Sequence, residues 1–230
     1  MKLEGESVII RNHYRASLKP DVAEDTLREA LREDAAVVRE SIAKEDCLTV
    51  AMYPHGRMLF LYYEAIVKTI KPWQLFPKTS RLLAPWPGKD GSFAPWAYMY
   101  HIYYHAVPTT VEQWIRTEKK KRRGRIAYLL PDKLFSYVYY HQAIVSEGLL
   151  EGDRYQSIAL HEDILFSYFE EPKIFTHIRQ ESGQESRVIR EWTAADPESH
   201  FDHSLSGEEN FLLLDELFSM GREDIFGYGR

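Results

Sequence analysis

The chain has 230 residues, a formal net charge of −6 at pH 7 and one cysteine, Cys47. This length allows a substantial core in one or two domains, and the negative charge disfavours a dedicated nucleic-acid binder. A single cysteine excludes an intrachain disulfide, and the lack of an apolar run of about 20 residues argues against a membrane span. Because the N-terminus also lacks the apolar core of a signal peptide, we expect a cytoplasmic protein.

Two segments that end in Leu-x-Pro-Asp predict an internal repeat. The residues before Pro20 and Asp21 read as a short strand, and so do those before Pro131 and Asp132. Proline ends a regular element and aspartate is suited to begin a helix. Apolar residues then recur at three- and four-residue steps, which predicts amphipathic helices over 22–43 and 133–150.

A β-hairpin is predicted after each helix. The first pairs 48–53 with 58–64, and the second pairs 155–160 with 164–170. The second strands of the two hairpins are the most similar part of the repeat, because both are aromatic-rich and end in glutamate.

The remainder of each unit is less regular. In the first, a segment rich in proline and tryptophan predicts an irregular loop, followed by a helix and a closing strand at 72–88, 94–106 and 110–116. In the second, we expect a helix, a segment with the closing strand, and a loose tail at 186–193, 210–218 and 221–230.

The order strand, helix, hairpin, helix, strand is that of a ferredoxin-like unit. We therefore predict an α+β fold of two tandem βαββαβ units, 1–118 and 119–230. The two units are expected to pack as an intramolecular dimeric α/β-barrel, with one chain doing what a homodimer does between two. The protein itself is expected to be a monomer or a homodimer.

The helix of the second unit carries Tyr137 and His141, four residues apart on one face. This Tyr-x-x-x-His resembles the motif on the first helix of the L-rhamnose mutarotases, which share the βαββαβ order. In that family the two residues are the proposed acid–base pair. The resemblance therefore implies that Tyr137 and His141 are catalytic.

A second segment is similar to the same family. Trp96 and Tyr98 lie in a Trp-x-Tyr-Met sequence that resembles the Trp-Trp-x-Tyr-Met lining the family's sugar pocket. The resemblance implies that both bind substrate, and we expect Tyr140 to do so as well. The pattern is split between the units, since the helix at 22–43 has no Tyr or His. Either one composite site forms or the chemistry has partly decayed.

The function implied is that of an aldose mutarotase, an isomerase that interconverts the anomers of a monosaccharide. This reaction needs an acid and a base and no metal or cofactor. Histidine suits both roles because its unperturbed pKa, about 6.5, lies near working pH.

Two other functions remain open. The expected barrel also resembles that of the dimeric α/β-barrel monooxygenases, some cofactor-free and some haem-binding, and His101 or His105 could ligate haem. The second of these functions is that of a non-catalytic protein that binds a small molecule. We expect no metal site, since His101 and His105 are more consistent with packing, as are His200 and His203 with a polar loop. The basic run at 119–125 is interpreted as a solvated linker, with neither nucleic acid nor membrane as partner.

Overall fold

The computed structural model describes residues 9–87, 91–174, 176–178 and 186–228. The expectations for the N-terminus and the end of the tail fall partly on 1–8 and 229–230, which lie outside the described residues. The elements up to residue 120 are β1 (Ile9–Ser17), α1 (Glu24–Ala43), β2 (Cys47–His55), β3 (Met58–Ile66), α2 (Pro72–Leu75), β4 (Trp86–Pro87), β5 (Phe93–Ala94), β6 (Ala97–Tyr98), β7 (Tyr100–Tyr104) and α3 (Val111–Trp114).

The elements after residue 120 repeat the same opening order. They are β8 (Lys121–Tyr128), α4 (Leu134–Glu147), β9 (Leu150–Glu151), β10 (Ser157–His161), β11 (Ile164–Glu171), β12 (His177–Ile178), α5 (Arg187–Ala194), α6 (His203–Ser206), β13 (Leu212–Leu214), β14 (Phe218–Gly221) and α7 (Arg222–Phe226). Short 3₁₀ helices occur at Thr79–Leu82 and Pro197–His200.

The first sheet is antiparallel, with strand order β14-β2-β3-β1-β6. Helix α1 covers one face of it, because its buried side chains recur at helical spacing and pack into the same core as the strands. Asp34 is the buried acid on this helix. Its carboxylate accepts the backbone N–H groups of Lys78 and Thr79 at 2.9 and 2.8 Å, which holds the following loop against the helix.

The second sheet is also antiparallel, with order β13-β8-β11-β10-β7. Helix α4 packs on it through Tyr137 and Ile144. The helix ends at Gly148, whose left-handed backbone (φ 65°) is the conformation that glycine adopts without strain at a helix C-terminus.

Each closing segment is divided between the two sheets. Strand β6 pairs with β1, but the next strand, β7, pairs with β10. In the same way β13 pairs with β8, and β14 pairs with β2. One compact unit consists of Met1–Met99, Pro108–Lys120 and Asp215–Arg230, and the other of Tyr100–Val107 and Lys121–Leu214. These units differ from the predicted spans, 1–118 and 119–230, by the two exchanged strands and their flanking residues.

The α+β class and the tandem ferredoxin-like order are confirmed. Both units have a strand, a helix and a hairpin in which the third strand lies between the first and the second. The predicted helices at 22–43, 133–150 and 186–193 correspond to α1, α4 and α5.

Four local predictions were wrong. The segment at 94–106 forms strands, because its aromatic residues favour extended backbone and it reaches β1 and β10. Residues 110–116 contain α3, which begins where the Thr110 hydroxyl accepts the Gln113 N–H at 3.2 Å. The tail contains α7, and Asp224 accepts the N–H of Gly221 at its start. The basic run is no linker, since β8 begins at Lys121.

No helix in the described ranges combines the length and the apolar character that a bilayer span requires.

A buried carboxylate organises the end of β3. Glu64 is fully buried and accepts hydrogen bonds from the Tyr62 hydroxyl at 2.7 Å and from the indole of Trp114 at 2.9 Å. Arg116 binds both of its oxygens, at 2.6 and 2.8 Å. Burial alone would raise the pKa of Glu64, but the Arg116 charge and these donors outweigh it and hold the pKa below its usual range.

The same contact recurs in the second unit, where the Tyr168 hydroxyl donates to Glu170 at 2.7 Å. In both units an arginine of the first strand stands opposite the glutamate, Arg11 in one and Arg122 in the other. This shared Tyr-x-Glu contact is direct structural evidence for the internal repeat.

We expect Arg116→Leu to destabilise the protein by about 3–5 kcal/mol, because it leaves the Glu64 carboxylate buried without its cation. The measurement is urea unfolding at neutral pH. Arg28→Leu is the matched control, since Arg28 forms an exposed pair with Glu24 and its loss should cost about 0.5 kcal/mol. Adding Glu64→Gln to Arg116→Leu should recover part of the loss, and an equal loss in the single and double variants would contradict the ion-pair explanation.

Candidate functional site

The second unit contains a cavity between α4 and the edge strand β7. Gln142 fixes their spacing, because its side-chain amide donates to the carbonyl of Ile102 at 2.7 Å. Beyond this contact the helix and strand diverge and leave a cavity of about 200 Å³. Its walls are mostly aliphatic, with two tyrosines and one histidine: Tyr103, Tyr104, His105, Val107, Ile144, Val145, Gly148 and Leu150.

Two polar side chains in this wall are bonded to each other. The hydroxyl of Tyr103 lies 2.9 Å from Nε2 of His105, and Nδ1 of His105 lies 3.2 Å from the carbonyl oxygen of Asp153. A carbonyl can only accept, so Nδ1 carries the proton and Nε2 accepts from Tyr103. Burial raises the pKa of Tyr103 to about 12, which keeps the phenol protonated at neutral pH.

Gly152 packs directly on the imidazole of His105. A Cβ atom at this position would lie 2.7 Å from Cε1 and 2.8 Å from Nδ1 of that ring, closer than real Cβ contacts allow. The absence of a side chain at residue 152 therefore permits the ring to reach the Asp153 carbonyl.

A cluster of rings adjoins the cavity on the α4 side. The ring of Tyr103 lies edge-on to His141, with centroids 5.4 Å apart, and His141 stacks on Tyr137 at 3.9 Å. Trp192 from α5 closes the cluster, 5.2 Å from His141 and 4.7 Å from His200. Aromatic pairs at these distances stabilise both the fold and any planar ligand placed among them.

His141 is held neutral in this cluster. Burial lowers its pKa to about 4, and a backbone hydrogen bond offsets part of that effect. The bond runs from Nδ1 to the carbonyl of Tyr137 at 2.8 Å, so Nδ1 carries the proton.

Together these features describe a site for acid–base chemistry on an aromatic molecule. A cavity of about 150 Å³ lined by apolar side chains can hold one benzene ring, so a cavity of this size can accept one. A ligand hydroxyl beside Tyr103 could pass its proton to the phenol oxygen as the phenol proton moves to His105.

The residues expected from sequence to form one site belong to different units. Tyr137, Tyr140 and His141 lie on α4 in the second unit, whereas Trp96 and Tyr98 belong to the first. Their roles as catalytic and substrate-binding residues stay predictions.

Trp96 and Tyr98 have structural contacts of their own. Trp96 is buried in the core of the first unit and its indole donates to the Ser80 hydroxyl at 2.8 Å. Tyr98 lies edge-on to Tyr14 with the ring centroids 5.3 Å apart.

Sequence reasoning missed Tyr103, and it treated His105 as a packing residue or a metal ligand. In a strand, residues two apart face the same side, so a strand interpretation of 100–105 would have placed the two side chains together. A β-bulge between Ile158 and Ala159 pairs Tyr103 with Ile158 but His101 with Ala159, on the other face. His101 and His105 therefore do not converge as their helical spacing suggested.

The two histidines that sequence placed in a polar loop, His200 and His203, are engaged in hydrogen bonds. His200 is buried and contacts the Ser136 hydroxyl at 2.8 Å and the Asp196 carbonyl at 3.1 Å. His203 contacts the side-chain oxygen of Asn210 at 2.7 Å. Across the described parts of the chain, no three His, Cys, Asp or Glu side chains gather as metal ligands would.

Comparison with known proteins gives no family assignment from sequence, since neither a family model nor a curated protein matches. Among solved structures, a candidate monooxygenase from Fusobacterium nucleatum subsp. nucleatum is 11% identical, with 94% of this chain and 95% of that chain covered and a TM-score of 0.40. A candidate monooxygenase from Lactobacillus acidophilus is 8% identical, with 94% and 97% covered and a TM-score of 0.45.

An anthrone oxidase-like protein is 7% identical, with 96% of each chain covered and a TM-score of 0.39. Likeness at this level does not transfer an activity to this chain.

The expected mutarotase was wrong. The solved structures that resemble the chain are described as candidate monooxygenases, an anthrone oxidase-like protein and chlorite dismutases, and no mutarotase is among those reported. The geometry gives a physical reason, because Tyr137 is 2% exposed and stacks flat on His141 instead of opening toward a sugar. The expectations of an isomerase and of a bound monosaccharide fall with it.

The buried neutral imidazole predicts a pH-dependent stability. The folded pKa of His141 is about 4 and the unfolded value is about 6.5, so the unfolded chain binds the proton more readily. Stability is therefore fully present above the unfolded pKa and is lost as pH falls toward the folded one. Between about pH 7.5 and pH 5 the loss from this group is about 2 kcal/mol.

The measurement is urea unfolding at both pH values for the native protein and His141→Gln. The variant should lose about 2 kcal/mol less on acidification, because glutamine does not titrate. Equal acid losses in the two proteins would show that other groups control the pH dependence.

Proposed function

We propose that this chain is a monooxygenase-type enzyme that acts on a small aromatic compound, with Tyr103 and His105 as its proton-transfer pair. The proposal rests on one observation, the hydrogen bond between these side chains in the wall of an apolar cavity of about 200 Å³. The fixed Nδ1–H tautomer of His105 leaves Nε2 as the acceptor, which suits a base that acts through the phenol.

The chemistry that fits this site is deprotonation of an acidic aromatic substrate followed by its direct reaction with dioxygen. The proton moves to Tyr103 and from Tyr103 to His105. In the balanced reaction a CH₂ group and O₂ give a C=O group and water, so every electron comes from the substrate. The apolar walls around Ile144 and Leu150 exclude water from the anion and strengthen its electrostatic contacts.

The haem-binding alternative does not fit His105. Both of its ring nitrogens are engaged, by Tyr103 and by the Asp153 carbonyl, so neither is directed at an iron atom.

Oxygen consumption with a panel of one- and two-ring aromatic compounds that carry an acidic CH₂ group, such as 2-coumaranone and 2-indanone, tests the proposal. We expect uptake by the native protein and a loss of about 100-fold or more in Tyr103→Phe and His105→Gln, the usual range for removing a proton-transfer group. Tyr100→Phe is the control, because Tyr100 lies on the same strand and is 60% exposed.

Quenching of tryptophan fluorescence by the same compounds separates binding from catalysis. Binding without oxygen uptake would favour a non-catalytic small-molecule-binding protein. Neither binding nor uptake across the panel would contradict the proposal.

Gly152 gives a second test that leaves both polar residues in place. Gly152→Ala adds a methyl group 2.7 Å from the His105 ring, so the ring has to rotate away from its partners. We expect its activity to fall to a similar degree to that of His105→Gln, with a secondary-structure spectrum like that of the native protein. Gly148→Ala is unsuitable as the control, because Gly148 has a positive φ of 65°. Ser146→Ala, at an exposed position of α4 outside the cavity wall, serves instead.

A further inference from the structure

Arg125 on β8 has an aromatic environment and no counter-ion among the described residues. Its guanidinium carbon lies 4.2 Å from the ring centroid of Phe211 and 5.2 Å from that of Phe169. Its Nε is shielded from solvent and makes no hydrogen bond, and in the described structure no carboxylate forms an ion pair with it. Burial lowers the pKa of Arg125, although the guanidinium stays charged at neutral pH.

Ser167 lies directly opposite Arg125 on the neighbouring strand. The two residues are register partners of β11 and β8, so their side chains face the same side of the sheet. Ser167 is fully buried, and its hydroxyl also has no hydrogen-bond partner among the described residues. A donor and a cation, both unsatisfied, therefore stand side by side under α4.

Lys173 adds a second positive charge at the ring of Phe169. Its ammonium lies 5.4 Å from the ring centroid, while Arg125 stacks on the same ring. Partial burial and the charge of Arg125 lower the pKa of Lys173. The Asp153 carboxylate favours the charged form of Lys173 in part, and an anion bound beside Arg125 and Lys173 would relieve the repulsion between them further.

The next arginine on the same face of β8 has a carboxylate partner and serves as a comparison. Arg123 is two residues away and donates to Glu171 at 2.8 Å. Strand β8 thus carries one arginine that a carboxylate neutralises and one that no described carboxylate neutralises. An unpaired, desolvated cation reduces stability, so its presence is better explained by a ligand than by packing.

We propose that Arg125, Ser167 and Lys173 form a binding site for a small aromatic carboxylate in the second unit. The planar guanidinium matches a carboxylate in a bidentate arrangement, and the serine hydroxyl can donate to the same group. The rings of Phe169 and Phe211 provide the apolar surroundings for the body of the ligand. Because Arg125 as a whole is only half-buried, part of its side chain stays accessible.

This ligand class follows from the surroundings. The phenylalanine rings favour an apolar body, and a carboxylate brings only one negative charge into these surroundings. Phosphate would bring a second negative charge into the same apolar environment, where each buried charge has a desolvation penalty. The site does not depend on the proposed oxidation, since it shares no residue with the Tyr103–His105 pair.

Calorimetric titration with benzoate, benzamide and inorganic phosphate at low salt tests the site on the whole chain. Benzamide has the shape of benzoate without its charge. We expect the native protein to bind benzoate at least about tenfold more tightly than benzamide, as charged hydrogen bonds in apolar surroundings allow. Equal affinities for the two compounds, or phosphate binding as tight as benzoate binding, would overturn the proposal.

Variants locate the binding. Arg125→Met keeps the length of the side chain and should remove the preference for benzoate, whereas Arg125→Lys should retain part of it. Arg187→Gln is the control, because Arg187 is exposed and paired with Glu191, and it should leave the preference unchanged. If both Arg125→Met and Arg125→Lys keep the full preference for benzoate over benzamide, the anion binds elsewhere. That result would refute the site.

Discussion

A carboxylate removed from water must be surrounded by donors, and this requirement shapes the end of the third strand in each unit. In the first unit it draws Trp114 and Arg116 onto Glu64, which fixes the segment after β7 to β3. The tyrosine two residues earlier serves the glutamate in both units. The two units therefore share a buried glutamate with its tyrosine donor, in addition to the same order of strands. The conservation of this pair within one chain explains why the hairpins are the most similar parts of the two units.

The second unit uses backbone carbonyls to set the state of its histidines. Asp153 and Tyr137 supply carbonyls that select the Nδ1–H tautomer, at His105 and His141 respectively. Their surroundings then separate their roles, since His105 faces a cavity and His141 is enclosed by rings. The Tyr-x-x-x-His that suggested a catalytic pair is a stacked part of the core in this geometry. A sequence motif fixes the distance between two side chains along a helix. Whether solvent reaches those side chains depends on the elements that pack against the helix.

The sequence was informative wherever structure follows from local periodicity. Helices α1 and α4 and both hairpins could be predicted because their apolar spacing and turn residues lie within a few positions of each other. Strand β7 could not, since an aromatic run fits a helix or a strand and its partner β10 lies more than fifty residues away. Arg125 was hidden for a related reason: in a basic run, only the strand register tells which arginine faces a carboxylate and which does not.

The exchange of β7 and β14 has a consequence for how the chain is made. The first sheet receives its outer strand only from residues 218–221, far along the chain from β2. A ribosome therefore releases most of the first unit before the partner of β2 exists, and during that interval β2 presents an unpaired edge. In the second sheet β10 finds its partner β7 already translated, and β8 waits for β13 at 212–214, which is a shorter stretch of chain than the one between β2 and β14. Because of the order of translation, the unpaired strand edges of the two sheets are exposed to chaperones and to aggregation for different lengths of time.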